Sequence, residues 1–152
     1  MSDKDLPFSK TEFDRRIAKT RKAMSKAGLD ALFITDPSNQ NWLTAYDGWS
    51  FYVHQGVILT HAGDPIWWGR HMDMLGGRRT CWMGDESILG YGDEYVQSTQ
   101  RHAMQHLAGH LSDLGLGQAR IGVELENYYY SAKAHAVLTE DLPEAELVDA
   151  TA

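Results

Sequence analysis

Three histidines in this chain have the spacing that comes nearest to a metal site. His102, His106 and His110 recur at every fourth position, so they share one face of any helix that contains them. Their mean direction lies about 120° from the apolar stripe of that segment, at 100° per residue. The sequence has no H-E-x-x-H pattern and no nearby set of Cys, Asp or Glu ligands. We therefore predict a solvated histidine face and keep a metal site as the less favoured alternative.

Cys81, the only cysteine, is a candidate nucleophile. Arg78 and Arg79 precede it and could lower the pKa of its thiol, whereas the apolar residues that follow it suggest packing. Because a catalytic cysteine also needs a base nearby in space, we predict a structural cysteine. Arg70 could bind a carboxylate through its guanidinium fork or pair with Asp73. The sequence contains no phosphate-binding or G-x-S-x-G motif, and its clustered glycines lie before a strand instead of after one.

An aromatic segment in the middle of the chain points to ligand contact. All five tryptophans fall between positions 42 and 82, and residues 42–55 are the densest aromatic run. If residues 51–60 form a strand, its alternation directs Phe51 to one face and Tyr52 and His54 to the other. Aromatic side chains with polar tips suit a ligand wall or a subunit interface, but a hairpin that packs only on its own domain is equally consistent. The side chains that this alternation would present outward, Tyr52 and His54, are the candidates for contact.

Helices and strands alternate along the chain and position these residues. A capping box at Ser9 and Glu12 starts the first helix, and Gly28 ends it. Residues 71–80 stay unassigned, because paired glycines weaken any helix there. Strands are predicted at residues 29–35, 51–60, 65–69, 87–89, 119–124 and 145–148, and helices at 40–44, 99–114 and 131–139. The fold class is therefore α/β, with a mixed β-sheet of five to six strands and one antiparallel hairpin, flanked by helices.

Composition limits the setting in which the chain works. Its 152 residues are 43% hydrophobic and fit one folded domain. No apolar run approaches the roughly 20 residues of a transmembrane helix, and the charged start lacks the apolar core of a secretory signal. The net charge is −7, and residues 85–152 carry twelve Asp or Glu against three Lys or Arg. We expect a cytoplasmic protein with no membrane and no nucleic-acid partner.

The order of several motifs resembles the N-terminal domain of the creatinase/prolidase superfamily. These motifs follow the opening helix as Gly28–Ile34, Asp36–Asn39, Asn41–Thr44 and Tyr46-Asp47-Gly48. Within that superfamily the chain resembles the ectoine hydrolase branch at Tyr46–Gln55, Gly69-Arg70-x-x-Asp73 and Tyr95–Ser98. Ala45 stands where that branch usually has glycine. The resemblance divides the chain into an N-terminal tail, residues 1–8, and a creatinase/prolidase N-terminal domain, residues 9–149.

What the resemblance implies is a division of labour between two domains. In this family a downstream domain holds the reaction centre, and any divalent metal is bound there by two Asp, one His and two Glu. We expect that catalytic C-terminal domain to be absent from this chain, which would then be inactive alone and hold no cofactor or metal. The N-terminal domain makes dimer contacts and part of the substrate-site wall, where Trp49, Phe51, Tyr52 and His54 fall; the role of Arg70 is less defined.

Three interpretations of the whole protein stay open. The parent is expected to be an ectoine hydrolase that acts on a small-molecule substrate by hydrolysing a C–N bond, working as a homodimer. An Xaa-Pro dipeptidase or aminopeptidase, or a creatinase, is the alternative within the family. A stand-alone binding or interaction module is the alternative from another class.

Overall fold

The computed structural model describes residues 4–152, which form a mixed β-sheet with helices on both faces. The strands are β1 Ala31–Ile34, β2 Gly56–Thr60, β3 Ile66–Arg70, β4 Ile88–Tyr91, β5 Arg120–Val123 and β6 Glu146–Asp149. The helices are α1 Lys10–Ala27, α2 Pro37–Thr44, α3 Met74–Thr80, α4 Ala103–Asp113 and α5 Ala132–Asp141. The strand order is β4-β3-β2-β1-β5-β6, in which β2 is antiparallel to both neighbours and all other pairs are parallel. The predicted mixed sheet with an antiparallel hairpin is confirmed.

Local chemistry defines α1 at both ends. The Ser9 hydroxyl accepts a hydrogen bond from the Glu12 backbone N–H, and Phe8 packs edge-on against Phe13 across this cap. Gly28 ends the helix with φ of 65°, a left-handed conformation that costs a residue with a side chain roughly 1–2 kcal/mol. Residues 4–8 of the predicted tail contain no helix or strand, and Lys4 donates hydrogen bonds to two backbone carbonyls near Cys81. Residues 1–3 of that tail lie outside the described residues.

Two hydrophobic cores lie on opposite faces of the sheet. Trp67 and Trp68 are neighbours in β3, so they point to opposite faces, and both are fully buried. The face bearing Trp68 packs against α4 and α5, through residues such as Leu107 and Leu138. The face bearing Trp67 packs against α1 and α2, through residues such as Met24. No helix within residues 4–152 is long and apolar enough to cross a membrane.

Two predicted elements start later in the structure than expected, and one unassigned segment is helical. The strand expected at residues 51–60 begins only at Gly56, because residues 50–55 fold into a turn around buried polar groups. The helix expected to start at Thr99 starts at Ala103, because His102 caps it. The unassigned residues 71–80 form a 3-10 turn followed by α3.

Candidate functional site

Two loops meet at the edge of the sheet where β3 and β4 end. We call residues 45–55, between α2 and β2, the aromatic loop, and residues 92–102, between β4 and α4, the second loop. Because β1, β3, β4, β5 and β6 run in the same direction, all their carboxyl ends lie at this edge. Open α/β sheets commonly bind ligands outside the carboxyl ends of their strands. The edge is therefore the expected place for a ligand-facing surface.

A pocket of about 210 Å³ lies between the two loops. The aromatic loop contributes Tyr52, Val53 and His54, and the second loop and its neighbours contribute Tyr91, Tyr95, Val96, Gln97, Ser98, Arg101 and His102. The Tyr91 hydroxyl donates a hydrogen bond to the His54 backbone oxygen at 2.6 Å, across 37 positions of sequence. The pocket thus brings together two of the three segments that resemble the ectoine hydrolase branch, 46–55 and 95–98, but not 69–73.

The aromatic side chains of the candidate set do not share one environment. Trp49 is 83% exposed and lines a wider groove of about 1410 Å³ instead of the pocket. Tyr52 is 73% exposed, whereas Phe51 is half-buried between the rings of Trp49 and Tyr129, each at 5.5 Å. The predicted alternation of Phe51 against Tyr52 and His54 along a strand is wrong, because these residues lie in a loop.

Three buried polar side chains, Tyr46, Ser50 and Gln55, hold the aromatic loop together by hydrogen bonds. The Gln55 side-chain oxygen accepts hydrogen bonds from the Ser50 hydroxyl at 2.9 Å and the Tyr46 hydroxyl at 3.2 Å. The Ser50 and Tyr46 hydroxyls also contact each other at 2.8 Å, and Tyr46 packs on Trp67. Burial raises the pKa of Tyr46 to about 12. Ala45 begins the loop with φ of 66°, the backbone region that glycine prefers, which suits a position where the related branch usually has glycine.

His54 and His102 form a pair inside the pocket. Their ring centroids lie 4.7 Å apart, and both side chains are half-buried. Burial, and then the neighbouring His102, lower the pKa of His54 to about 4. Burial also lowers the pKa of His102. Both rings are therefore neutral at pH 7. His54 can accept or donate a hydrogen bond to a ligand, whereas His102, whose Nδ1 accepts from the Met104 backbone N–H, can only donate one from Nε2.

Arg70 pairs with a partner that its sequence neighbourhood does not reveal. Its guanidinium binds both carboxylate oxygens of Asp93, at 2.7 and 3.2 Å, and not those of Asp73. The guanidinium lowers the pKa of Asp93 through this hydrogen bond. The pair ties the end of β3 to the start of the second loop, so Arg70 lies beside the pocket and not among its lining residues.

His102, His106 and His110 do not form the solvated face that was predicted. All three are half-buried, and each has different neighbours. The His102 ring caps the helix, and the His106 ring accepts a hydrogen bond from the Trp68 indole N–H at 3.0 Å. Within residues 4–152 no group of three or more His, Cys, Asp or Glu side chains is arranged to hold a metal ion. Metal ligands on a downstream domain remain a prediction.

Cys81 lies in the core that contains Trp67, as expected of a structural cysteine. Its side chain is fully buried, and burial raises the pKa of its thiol to about 12. The thiolate needed for nucleophilic attack is therefore scarce at neutral pH. The structure gives no support to a nucleophilic role for this residue.

Sequence reasoning missed a buried carboxylate at the same edge of the sheet. Glu124, at the end of β5, is 3% exposed and accepts hydrogen bonds from the backbone N–H groups of Thr35 and Asp36 at 2.6 and 2.7 Å. The side-chain amides of Asn39 and Asn127 donate to it as well, at 2.6 and 3.2 Å. These hydrogen bonds connect the end of β1 to the loop that follows β5. That loop also carries Tyr129, whose ring packs against the ring of Phe51. No local pattern marks this residue, because its partners Thr35, Asp36 and Asn39 lie 85 to 89 positions away and only Asn127 is near it in the sequence.

The fold and this loop-lined edge define a class of α/β domain known from hydrolases. Residues 16–152 match the family described as the Creatinase/Prolidase N-terminal domain. The chain belongs to this family, as its motif order indicated.

Two relatives and one solved structure show how far the likeness extends. The ectoine hydrolase of Halomonas elongata is 49% identical over 95% of this chain and 37% of its own length. The creatinase of a Bacillus species is 27% identical over 93% of this chain and 32% of its own length. The creatinase/prolidase N-terminal domain of an X-Pro dipeptidase from Streptococcus pyogenes has a TM-score of 0.70 at 13% identity, and the match covers 90% of this chain and 94% of that one. The chain thus spans about a third of the curated relatives' length, and the solved structure shows a shared fold.

Proposed function

We propose that this chain is the non-catalytic N-terminal domain of an ectoine hydrolase that is about three times longer. The observation that carries the proposal is the 49% identity to the Halomonas elongata ectoine hydrolase over 95% of the chain. Two of the three segments that resemble the ectoine hydrolase branch, 46–55 and 95–98, also contribute residues to one pocket. The remaining two thirds of such a protein would hold the reaction centre.

The proposed role of the domain is to form part of the substrate-site wall and to contact a second subunit. Exposed aromatic rings at Trp49 and Tyr52 offer faces to a delocalised cation and exclude water from it. Arg101 and the hydroxyls of Tyr52 and Tyr95 can bind a carboxylate, and none of the residues that line the pocket is acidic. Ectoine hydrolysis adds water to a cyclic amidine carbon and breaks a ring C–N bond. The residues of this chain would bind and orient that substrate while the downstream domain performs the bond cleavage.

A domain exchange tests the proposal directly. Residues 4–152 would replace the matching N-terminal part of the Halomonas elongata ectoine hydrolase, and the chimera would be assayed with ectoine, Xaa-Pro dipeptides and creatine. We expect turnover of ectoine by the chimera and none by the 152-residue protein alone. A folded chimera that hydrolyses dipeptides or creatine but not ectoine would assign the domain to one of those enzymes instead. Turnover by the isolated domain at rates near 1 s⁻¹ would contradict a non-catalytic role.

Two substitutions in the chimera test the substrate wall. Trp49→Ala and His54→Ala are each expected to raise KM about tenfold, the effect of roughly 1.4 kcal/mol of lost contact, with little change in kcat. Leu114→Ala, at a partly exposed apolar residue after the far end of α4, is the matched control and should leave KM unchanged. Equal KM values in all three variants would show that the aromatic loop does not face the substrate.

A further inference from the structure

The start of α4 depends on histidine nitrogens that act as hydrogen-bond acceptors. The Met104 backbone N–H donates to His102 Nδ1 at 3.1 Å, and the Trp68 indole N–H donates to His106 Nδ1 at 3.0 Å. Backbone and indole N–H groups can only donate. Each Nδ1 must therefore carry a lone pair, so both rings are neutral and bear their proton on Nε2.

Protonation would break both contacts at once. An imidazolium ring carries N–H groups on both nitrogens, so a protonated His102 or His106 would place a donor against a donor. The His54 ring lies 4.7 Å from that of His102, and two imidazolium ions at this distance in a half-buried site repel each other. The two hydrogen bonds therefore require neutral rings at His102 and His106, and a charge on His54 would be repelled by a protonated His102.

The charged groups around these rings mostly oppose protonation. Lys133, from α5, faces His102, and His110, one turn further along α4, faces His106. Glu94, in the second loop, faces His106 with the opposite effect, and Arg101 lines the pocket beside His54 and His102.

Burial is the largest cause of the lowered pKa of all three rings. A charge on a neighbouring side chain lowers each pKa further: His102 acts on His54, Lys133 acts on His102, and His110 acts on His106. Released into water, each ring would regain an ordinary pKa near 6.5.

We propose that His54, His102 and His106 form an acid-sensitive latch. While the rings are neutral, the latch holds the second loop and the start of α4 against the aromatic loop and β3; when they are protonated at mildly acid pH, it releases them. The assignment of the pocket as ligand-facing rests on the proposed function, but the latch itself rests only on the contacts of the three rings. Its consequence is that the pocket keeps its shape above about pH 6.5 and loses it progressively below that value.

The size of the effect follows from His54. With a pKa of about 4 in the latched state and about 6.5 in the released state, the released population rises about 20-fold between pH 7 and pH 5. The direction follows because the released ring binds protons more readily than the latched one. Any contribution from the other two rings multiplies this factor, because their free energies add.

Nuclear magnetic resonance of the 152-residue protein tests the latch without a ligand. Nitrogen shifts of the imidazole rings report which nitrogen bears the proton, and hydrogen exchange reports protection of the Met104 amide and the Trp68 indole. We expect Nε2–H tautomers for His102 and His106 at pH 7. Between pH 7 and pH 5, exchange of both N–H groups, corrected for intrinsic rates, should rise about 20-fold while the amides of β1 and β5 stay protected.

Two variants separate the latch from general acid sensitivity. His102→Ser keeps a side-chain oxygen at the helix cap but removes one titrating ring, so the pH dependence at Met104 should fall by the factor that His102 contributes, while the factor from His54 remains. His61→Gln, in the exposed turn after β2 at the opposite end of the sheet, is the matched control and should behave as the unmodified protein does. A proton on Nδ1 of His102 or His106 at pH 7, or an undiminished pH dependence in His102→Ser, would overturn the proposal. The substrate assays of the chimera at pH 8 are independent of this result, so failure of the latch and failure of the proposed function are distinguishable.

Discussion

Replacement of Glu124 is expected to destabilise this domain more than replacement of any exposed carboxylate. The carboxylate is 3% exposed and accepts two short backbone hydrogen bonds and two from side-chain amides. In Glu124→Gln, one oxygen can still accept from Thr35 and Asp36, but the charge is lost and the new NH₂ faces the donor amide of Asn39. Because charge-assisted hydrogen bonds exceed neutral ones by about 1 kcal/mol each, the two backbone bonds predict a loss of about 2 kcal/mol.

Glu124→Ala should cost more, because several buried donors then lose their acceptor. Each unsatisfied group costs about 1–3 kcal/mol, and partial hydration of the small cavity brings the expected total to about 4 kcal/mol. Differential scanning calorimetry should show Tm lower by about 6 °C for the Gln variant and about 12 °C for the Ala variant. Glu126→Gln, two positions away and exposed, is the control and should shift Tm by less than 2 °C, since such surface changes are worth under about 0.5 kcal/mol. Equal shifts at both positions would refute the argument that the hydrogen bonds of Glu124 stabilise the fold.

Three further predictions concern residues whose environments differ sharply. Cys81 is fully buried, and burial raises the pKa of its thiol to about 12. A disulfide reagent at pH 8 should therefore react about 100-fold slower with the folded protein than with the protein in 6 M guanidinium. Similar rates would contradict the buried position of this residue. Gly28→Ala should lower the free energy of unfolding by about 1 kcal/mol, because Gly28 has a positive φ. Gly109→Ala inside α4, where the added methyl meets no atom within 4 Å, should raise the free energy of unfolding by about 1 kcal/mol. Urea titrations that give changes of the same sign for both variants would refute the backbone argument. Urea titration should show that Trp49→Ala changes the free energy of unfolding by less than about 0.5 kcal/mol, whereas Trp68→Ala lowers it by about 4 kcal/mol. The reverse order would contradict the exposures of these side chains, which are 83% and 0%.

Local signals along the chain predict the elements but not all of their boundaries. The cap at Ser9, the Phe8–Phe13 contact and the left-handed Gly28 act within a few residues, so α1 is predicted within a residue at each end. The start of α4 is missed by four residues, because histidine is an unusual cap and its side-chain bond to Met104 has no signature in the sequence.

The candidate site is harder to predict because long-range contacts determine its shape. Alternation of aromatic and polar residues predicts a strand at residues 51–55, but the buried hydrogen bonds among Tyr46, Ser50 and Gln55 fold this segment into a loop. Arg70 has an acidic neighbour three positions away, yet its partner is Asp93, 23 positions along the chain. Such pairings depend on which loops the sheet brings together, and local spacing does not encode them.

The strand order also suggests the sequence in which the domain assembles. β1, β2, β3 and β4 pair with neighbours in the chain, whereas β5 must find β1 across the whole intervening segment. Local pairings close small loops and form early, while distant ones pay a larger entropic cost and form late. The hydrogen bonds from Glu124 to Thr35 and Asp36 span this late pairing. Loss of these hydrogen bonds should therefore speed unfolding and leave the refolding rate nearly unchanged. The carboxylate of Glu124 would then determine the lifetime of the native state.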